Sequence, residues 1–301
     1  MIRRVTLAIL LLAGCVAAVG LQRSHAIAPI TPRPLLYLVA DAEHEADRLP
    51  MTFTRVSDAG ENEAGSEIAR AHALDSTNYS SADAAQITAY LNQVGHAVAS
   101  HVHRHGIGYR FYLRDDVNFV NAFALPGGHV VMGRGLFALM QSEDELAAVL
   151  GHEIAHVDDR HAIERLQYEL ASRKLGLEDV YRAGSMPVAL FEAGYTKEQE
   201  LEADRVGLEF AVEAGYSPGG VVALMERFEK MEVEYKDHPA SPIEEIAGLP
   251  SGAIQEYFRS HPPAEERLVV IERYIRERGW NERATVRPLA IQGSGTGDFA
   301  K

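Results

Sequence analysis

The chain has 301 residues, 47% hydrophobic and 24% charged, enough for one sizeable globular domain or two small ones. Lys and Arg number 29 against 43 Asp and Glu, a net charge of −14 with no long basic run, which argues against nucleic acid as a partner. Cys15 is the single cysteine, so the domain beyond it has no internal disulfide and no thiol chemistry.

Arg3 and Arg4, followed by the apolar run VTLAILLLAG and then Cys15, read as a targeting segment. LAGC at 12–15 looks like a bacterial lipobox, whose cysteine is lipidated and becomes the mature N-terminus. The alternative is an uncleaved anchor from Val5 to Leu21, roughly the shorter limit of a membrane-spanning helix. Either reading places the body outside the cytoplasm, periplasmic and tied to a membrane by lipid or anchor. The expected organisation is a signal segment over 1–14, a tether over 15–60, a folded domain over 61–279 and a flexible tail over 280–301. The tether carries Pro29, Pro32 and Pro34 and one short strand at LLYLV.

Helical spacing in SADAAQITAYLNQVGHAVASHV predicts the first helix of the domain, capped by Ser80 or Ser81. YRFYLRDD, NAFALP and HVVMG are short aromatic and β-branched runs and predict a small antiparallel sheet, with Gly127 and Gly128 in a turn. GLFALMQSEDELAAVLGHEIAHVDDRHAIERLQYELASR is helical for most of its length, with Ser142 and Glu145 as a capping box. Glycines at 176, 184 and 194 and Pro187 make 174–195 a mobile segment, a candidate cover for the cleft. Three more helices follow in TKEQELEADRVGLEFAVEAG, PGGVVALMERFEKMEVEY and PPAEERLVVIERYIRERG, the last with prolines at its start, where a missing N–H costs least. No internal repeat is present.

His152 and His156 are four residues apart on the predicted helix, which puts their Cβ atoms roughly 5–6 Å apart on one face, able to share a metal ion. Glu153 lies about 100° round, where it reaches a water on the metal without displacing it. This is the H-E-x-x-H arrangement of zinc hydrolases. A catalytic zinc needs a third protein ligand and an open position. EQELEADRVG supplies Glu200 as that candidate, and Asp204, one turn on, can accept the Nδ1 proton of a ligand histidine. Glu198 and Glu202 then point elsewhere, and His161 continues the motif helix off the ligand face.

NAFALPGGHVVMGRGLF, ELAAVLGHEIAHVDDRH, ELEADRVG and SHPPAEER, in this order, resemble the gluzincin metallopeptidases grouped with HtpX, the CAAX prenyl protease and BepA, and most of all the BepA-like soluble or lipid-anchored members. The resemblance spans Glu61 to Arg278. It implies a predominantly helical α+β metalloprotease domain with an HExxH active-site helix and one Zn2+ held by His152, His156 and Glu200. It also implies Glu153 as general base, Asp204 behind the ligands, and a sheet edge near Ala122 to Leu125 that takes substrate as an added strand. In such enzymes a histidine and an arginine spaced like His261 and Arg267 bind the oxyanion; in BepA-like members the histidine also closes the site as a fourth ligand. A plain N-cap role for His261 is the alternative. The chain departs from HtpX and the prenyl protease in having no multi-span hydrophobic region, and from BepA in having no downstream helical repeats.

Other histidines carry weaker signals. His101, His103 and His105 alternate and would share a face on a strand, against a solvated helix end or loop. His129, Tyr195 and Tyr216 are cleft candidates, against core or surface positions. Three functions compete: an endopeptidase clearing misfolded or unassembled envelope polypeptides, a latent zinc-binding chaperone or assembly factor gated by His261, and a regulatory protease with one dedicated target.

Overall fold

The computed structural model describes residues 56–74, 82–172, 188–237, Tyr257, 261–280 and 287–291. The targeting segment with Cys15, the LLYLV strand, the proposed caps at Ser80 and Ser81, and most of the 174–195 and 236–260 stretches lie outside the described residues. Helix α1 (Asp58–Ala71) starts three residues inside the stretch assigned to the tether. Ser57 caps it, its Oγ accepting from the Gly60 N–H at 3.2 Å, with Asp58 and Glu61 in the first turn, where negative charge is favoured. Helix α2 (Ala82–Ala99) follows.

Three strands come next, β1 (Arg110–Arg114), β2 (Ala122–Leu125) and β3 (His129–Gly133), in the order β1-β3-β2. The sheet is mixed, not antiparallel as expected. β2 and β3 form an antiparallel pair across the turn Pro126–Gly128, while β1 runs parallel to β3 from its other side, Arg110 opposite His129. The connection between β1 and β2 carries the chain past the β3 position, which a simple meander would not do. Gly127 closes the turn at φ 73°, and a Cβ there would lie 2.8 Å from the Asn62 backbone. β2 is left at an edge of the sheet.

Alternation then divides the core. Ala122, Ala124, Val130 and Met132 pack on one side with α2 and the helices that follow, and Phe123, Leu125 and Val131 pack on the other with Ile68, Ile163, Leu166 and Phe191. Helix α3 (Arg134–Ala138) leads to α4 (Glu143–Asp158), whose cap Ser142 accepts from the Glu145 N–H at 3.1 Å. The Glu145 carboxylate turns to the Gln141 N–H at 2.8 Å instead of closing the box on Ser142. The long predicted helix breaks at Asp159–Arg160: Arg160 has φ 67°, and α5 (His161–Ser172) starts a new direction.

A single turn, α6 (Ala189–Glu192), precedes α7 (Lys197–Glu213), which a full capping box between Thr196 and Gln199 initiates. Helices α8 (Gly219–Asp237) and α9 (Ala264–Arg278) follow; Gly279 ends α9 at φ 68°. Within the stretch read as a flexible tail, residues 287–291 are held against α4: Pro288 pairs with Ser142, and the Glu143 N–H donates to the Arg287 carbonyl at 2.9 Å. None of the described helices is long and apolar enough to cross a membrane.

Candidate metal centre

Helices α4 and α7 cross where glycine faces glycine. A Cβ on Gly151 would lie 2.4 Å from the Gly207 carbonyl oxygen, and one on Gly207 would lie 2.4 Å from the Gly151 carbonyl carbon. Backbone-to-backbone contact there brings α7 close against the second half of α4. His152 and His156 then point their Nε2 atoms at each other, 3.1 Å apart, with Glu200 Oε2 3.4 Å from His152 Nε2 and Glu200 Oε1 3.7 Å from His156 Nε2. All three side chains are buried. Ligands on a tetrahedral zinc stand roughly 3.3 Å apart for bonds of about 2.0–2.1 Å, so the three residues fit that ion.

The electrostatics point the same way. His152 Nδ1 is turned to Asp204 Oδ1 at 2.9 Å and His156 Nδ1 to His161 Nδ1 at 3.0 Å. Two bare Nε2 atoms at 3.1 Å repel unless a positive charge lies between or on them. Burial alone pulls the His152 imidazolium down, but Asp204 and Glu200 more than reverse this and raise it to about 10. Burial and the neighbouring imidazoles hold His156 well below its usual range. Although burial raises Glu200, the neighbouring His261, His152 and Arg267 bring it down to about 2. Its Oε2 is buried without a hydrogen-bond partner among the described residues, an acceptor a metal ion would satisfy.

Asp204 is clamped by Arg267, whose Nε donates at 2.9 Å and Nη2 at 2.6 Å, while Nη1 donates to Tyr257 Oη at 3.0 Å. Arg267 therefore stands behind His152, its guanidinium aimed at the carboxylate that orients the ring. His261 lies on the open side. Its Nδ1–H donates to the Tyr257 carbonyl at 3.1 Å, its ring stacks on Tyr257 at 4.3 Å, and its Nε2 is 3.8 Å from Glu200 Oε2. His152, Glu153 and His261 form a second possible ligand set that overlaps the first. Glu153 is buried, which pushes its carboxyl up to about 7 against the lowering effect of His152. Beside it is a small cleft walled by Leu136, Val149, Leu208, Leu224 and Met225.

The edge strand β2 borders the cleft, but its edge is occupied. The Glu192 carbonyl lies 3.5 Å from Asn121 Nδ2, just before the strand, and Tyr195 Oη lies 3.5 Å from the Ala124 carbonyl within it. Tyr195 also lies flat on His156, with ring centroids 3.9 Å apart, and its N–H donates to Glu200 Oε1 at 3.1 Å.

Other candidates go elsewhere. His101 and His103 lie in a loop after α2, facing Glu213 and Asp158 respectively, and do not converge with His105 on one site. His129 is buried against Tyr112, and Tyr216 packs in the core beneath Arg287. Glu202 faces His161 at 3.5 Å. His161, expected off the ligand face, is turned back onto His156 by the positive φ at Arg160. Tyr257 and the Gly151–Gly207 contact escaped the sequence reading, since a lone tyrosine or glycine carries no periodic signal. The glycine that opens GHEIAH and the one that ends EADRVG are the only trace of the crossing.

The sequence profile of peptidase family M48 matches residues 85–275. Among curated relatives, the beta-barrel assembly-enhancing protease of Escherichia coli (strain K12) is 26% identical over 225 residues, covering 69% of this chain and 41% of the relative. Mitochondrial metalloendopeptidase OMA1 of Schizosaccharomyces pombe is 29% identical, covering 52% of this chain and 44% of the relative. Metalloprotease LoiP of Escherichia coli is 27% identical, covering 50% and 65%. The chain thus spans about two fifths of the first two relatives' length.

Proposed function

This chain belongs to peptidase family M48, and from that premise we propose that it is a zinc-dependent endopeptidase that hydrolyses misfolded or unassembled cell-envelope proteins. The observation that carries the reading is the buried set of His152, His156 and Glu200 at ligand spacing, with the Glu153 carboxylate beside it at the wall of a small cleft. One zinc would be held by these three residues, with Asp204 fixing the His152 tautomer and Arg267 fixing Asp204. Zinc, when bound, supplies the Lewis acidity that activates water and polarises the scissile carbonyl. Glu153 takes the proton from the attacking water and passes it to the leaving amine, and burial suits its carboxyl to both steps. A substrate strand would add to β2, which requires residues 191–195 to leave its edge. The envelope assignment is supported by the lipobox-like segment ending at Cys15 and by the name of the assembly-enhancing relative.

A second reading, latency through His261, is favoured by one observation. Because its Nδ1–H donates to a carbonyl, His261 presents a bare Nε2 toward Glu200, an atom suited to bind a metal and not to donate to an oxyanion. In that reading the protein is a zinc-binding assembly factor, or a protease opened by one dedicated target.

Incubation of the zinc-loaded full chain with an unfolded protein tests the proposal. The parent should cleave, and Glu153→Gln should retain zinc while losing about 10²–10⁴-fold in rate. Equal cleavage by Glu153→Gln would remove the base role. No cleavage by the parent together with cleavage by His261→Ala would establish the latent reading.

A further inference from the structure

We propose that His161 is a positioning residue for the metal centre: it accepts the Nδ1 proton of His156, and Glu202 on its far side fixes the tautomer that lets it do so. The inference rests on the zinc-site reading above. His156 Nδ1 and His161 Nδ1 are 3.0 Å apart, in a place where both rings are buried. Two nitrogens at that distance require one proton between them. If His156 binds metal through Nε2 as a neutral ring, its proton is on Nδ1, and His161 Nδ1 must accept. The remaining proton of His161 is then on Nε2, the atom that faces Glu202 Oε2 at 3.5 Å. That carboxylate favours the tautomer the line of contacts needs.

The two histidine ligands are thus supported differently. His152 leans on a carboxylate that Arg267 clamps. His156 leans on a neutral imidazole and is covered on its flat face by Tyr195, which fixes the plane of the ring but not its rotation within that plane. The His161 contact supplies the in-plane restraint. The turn at Arg160 is what makes this possible, because in a continued helix a residue five positions on would face away from His156.

Three variants and one spectroscopic measurement on the full chain test this. His161→Phe keeps an aromatic ring and removes the acceptor; His161→Asn restores an acceptor at the Nδ1 position. Chelator competition should show zinc affinity falling about 10–100-fold in His161→Phe and recovering to within about threefold of the parent in His161→Asn. The visible spectrum of the cobalt-substituted protein should shift in the first and not in the second. Glu202→Gln should fall between them. Nitrogen-15 tautomer analysis of the zinc-loaded parent gives a reading independent of any variant: His161 should show an unprotonated Nδ1 and a protonated Nε2. Equal zinc affinity in His161→Phe and the parent, equal losses in His161→Phe and His161→Asn, or a protonated His161 Nδ1 would each overturn the inference. A parent that binds no zinc overturns the zinc-site reading along with it.

Discussion

Asp158 and Asp159 close the motif helix side by side and meet opposite surroundings. Asp158 accepts from the His103 N–H at 3.2 Å and Nδ1 at 2.8 Å and from the Arg104 N–H at 2.8 Å. Asp159, the C-cap residue, has a buried Oδ2 without a hydrogen-bond partner among the described residues, and it carries its charge at the helix end where negative charge is disfavoured. Burial pushes its carboxyl up to about 6; Glu202 and Asp158 add to the rise, and His161 and His103 oppose it. With the folded value above the unfolded one, ionisation costs folding free energy. The cost is absent below about pH 4, grows as pH passes from about 4 to 6, and is complete above that. Asp159→Asn should therefore stabilise the protein by about 1–2 kcal/mol at pH 8, after allowing for partial solvent contact, and by nothing at pH 4. Urea unfolding at the two pH values checks this; a loss of stability at pH 8 would contradict it.

The α4–α7 crossing decides whether the ligands meet. Periodicity places His152 and His156 on one face of one helix and Glu200 and Asp204 on one face of another, but says nothing of the distance between the faces. Gly151 and Gly207 set that distance by letting backbones touch. Replacing Gly207 with Ala should force the helices apart, destabilise the fold by about 1–3 kcal/mol and weaken zinc binding even though no ligand is altered. Thermal unfolding of the metal-free protein and chelator competition measure the two effects separately. Unchanged values for both would mean that the crossing relaxes without moving the site.

At the scale of the whole molecule, Arg104 ties three distant parts together. Its Nη1 donates to the Val157 carbonyl at 2.6 Å, and its Nη2 lies 2.6 Å from both Asp58 Oδ1 and Glu61 Oε2, joining the start of α1 to the end of α4. Glu61 is fully buried, so removal of Arg104 strands its charge, with Arg160 the remaining cation at 4.0 Å. Arg104→Met should cost about 3–5 kcal/mol, and adding Glu61→Gln should recover part of that, as a stability cycle would show. In the HVHRH run it is the arginine between the last two histidines, and not the histidines, that ties these elements together.

What the sequence by itself determined was local. The i,i+4 spacings of HEIAH and ELEAD, the start of α4 at Ser142, and the three strand segments follow from short-range backbone geometry that any window of the chain carries. The tertiary structure decided what depends on contacts between distant residues. It made the sheet mixed, since strand pairing depends on where the connection between β1 and β2 crosses. It set Arg267 on Asp204, 63 residues away, and it turned His161 back onto His156 through one positive φ at Arg160. Such contacts leave no periodic trace because each is selected by the packing of the whole core, not by the residues on either side of it.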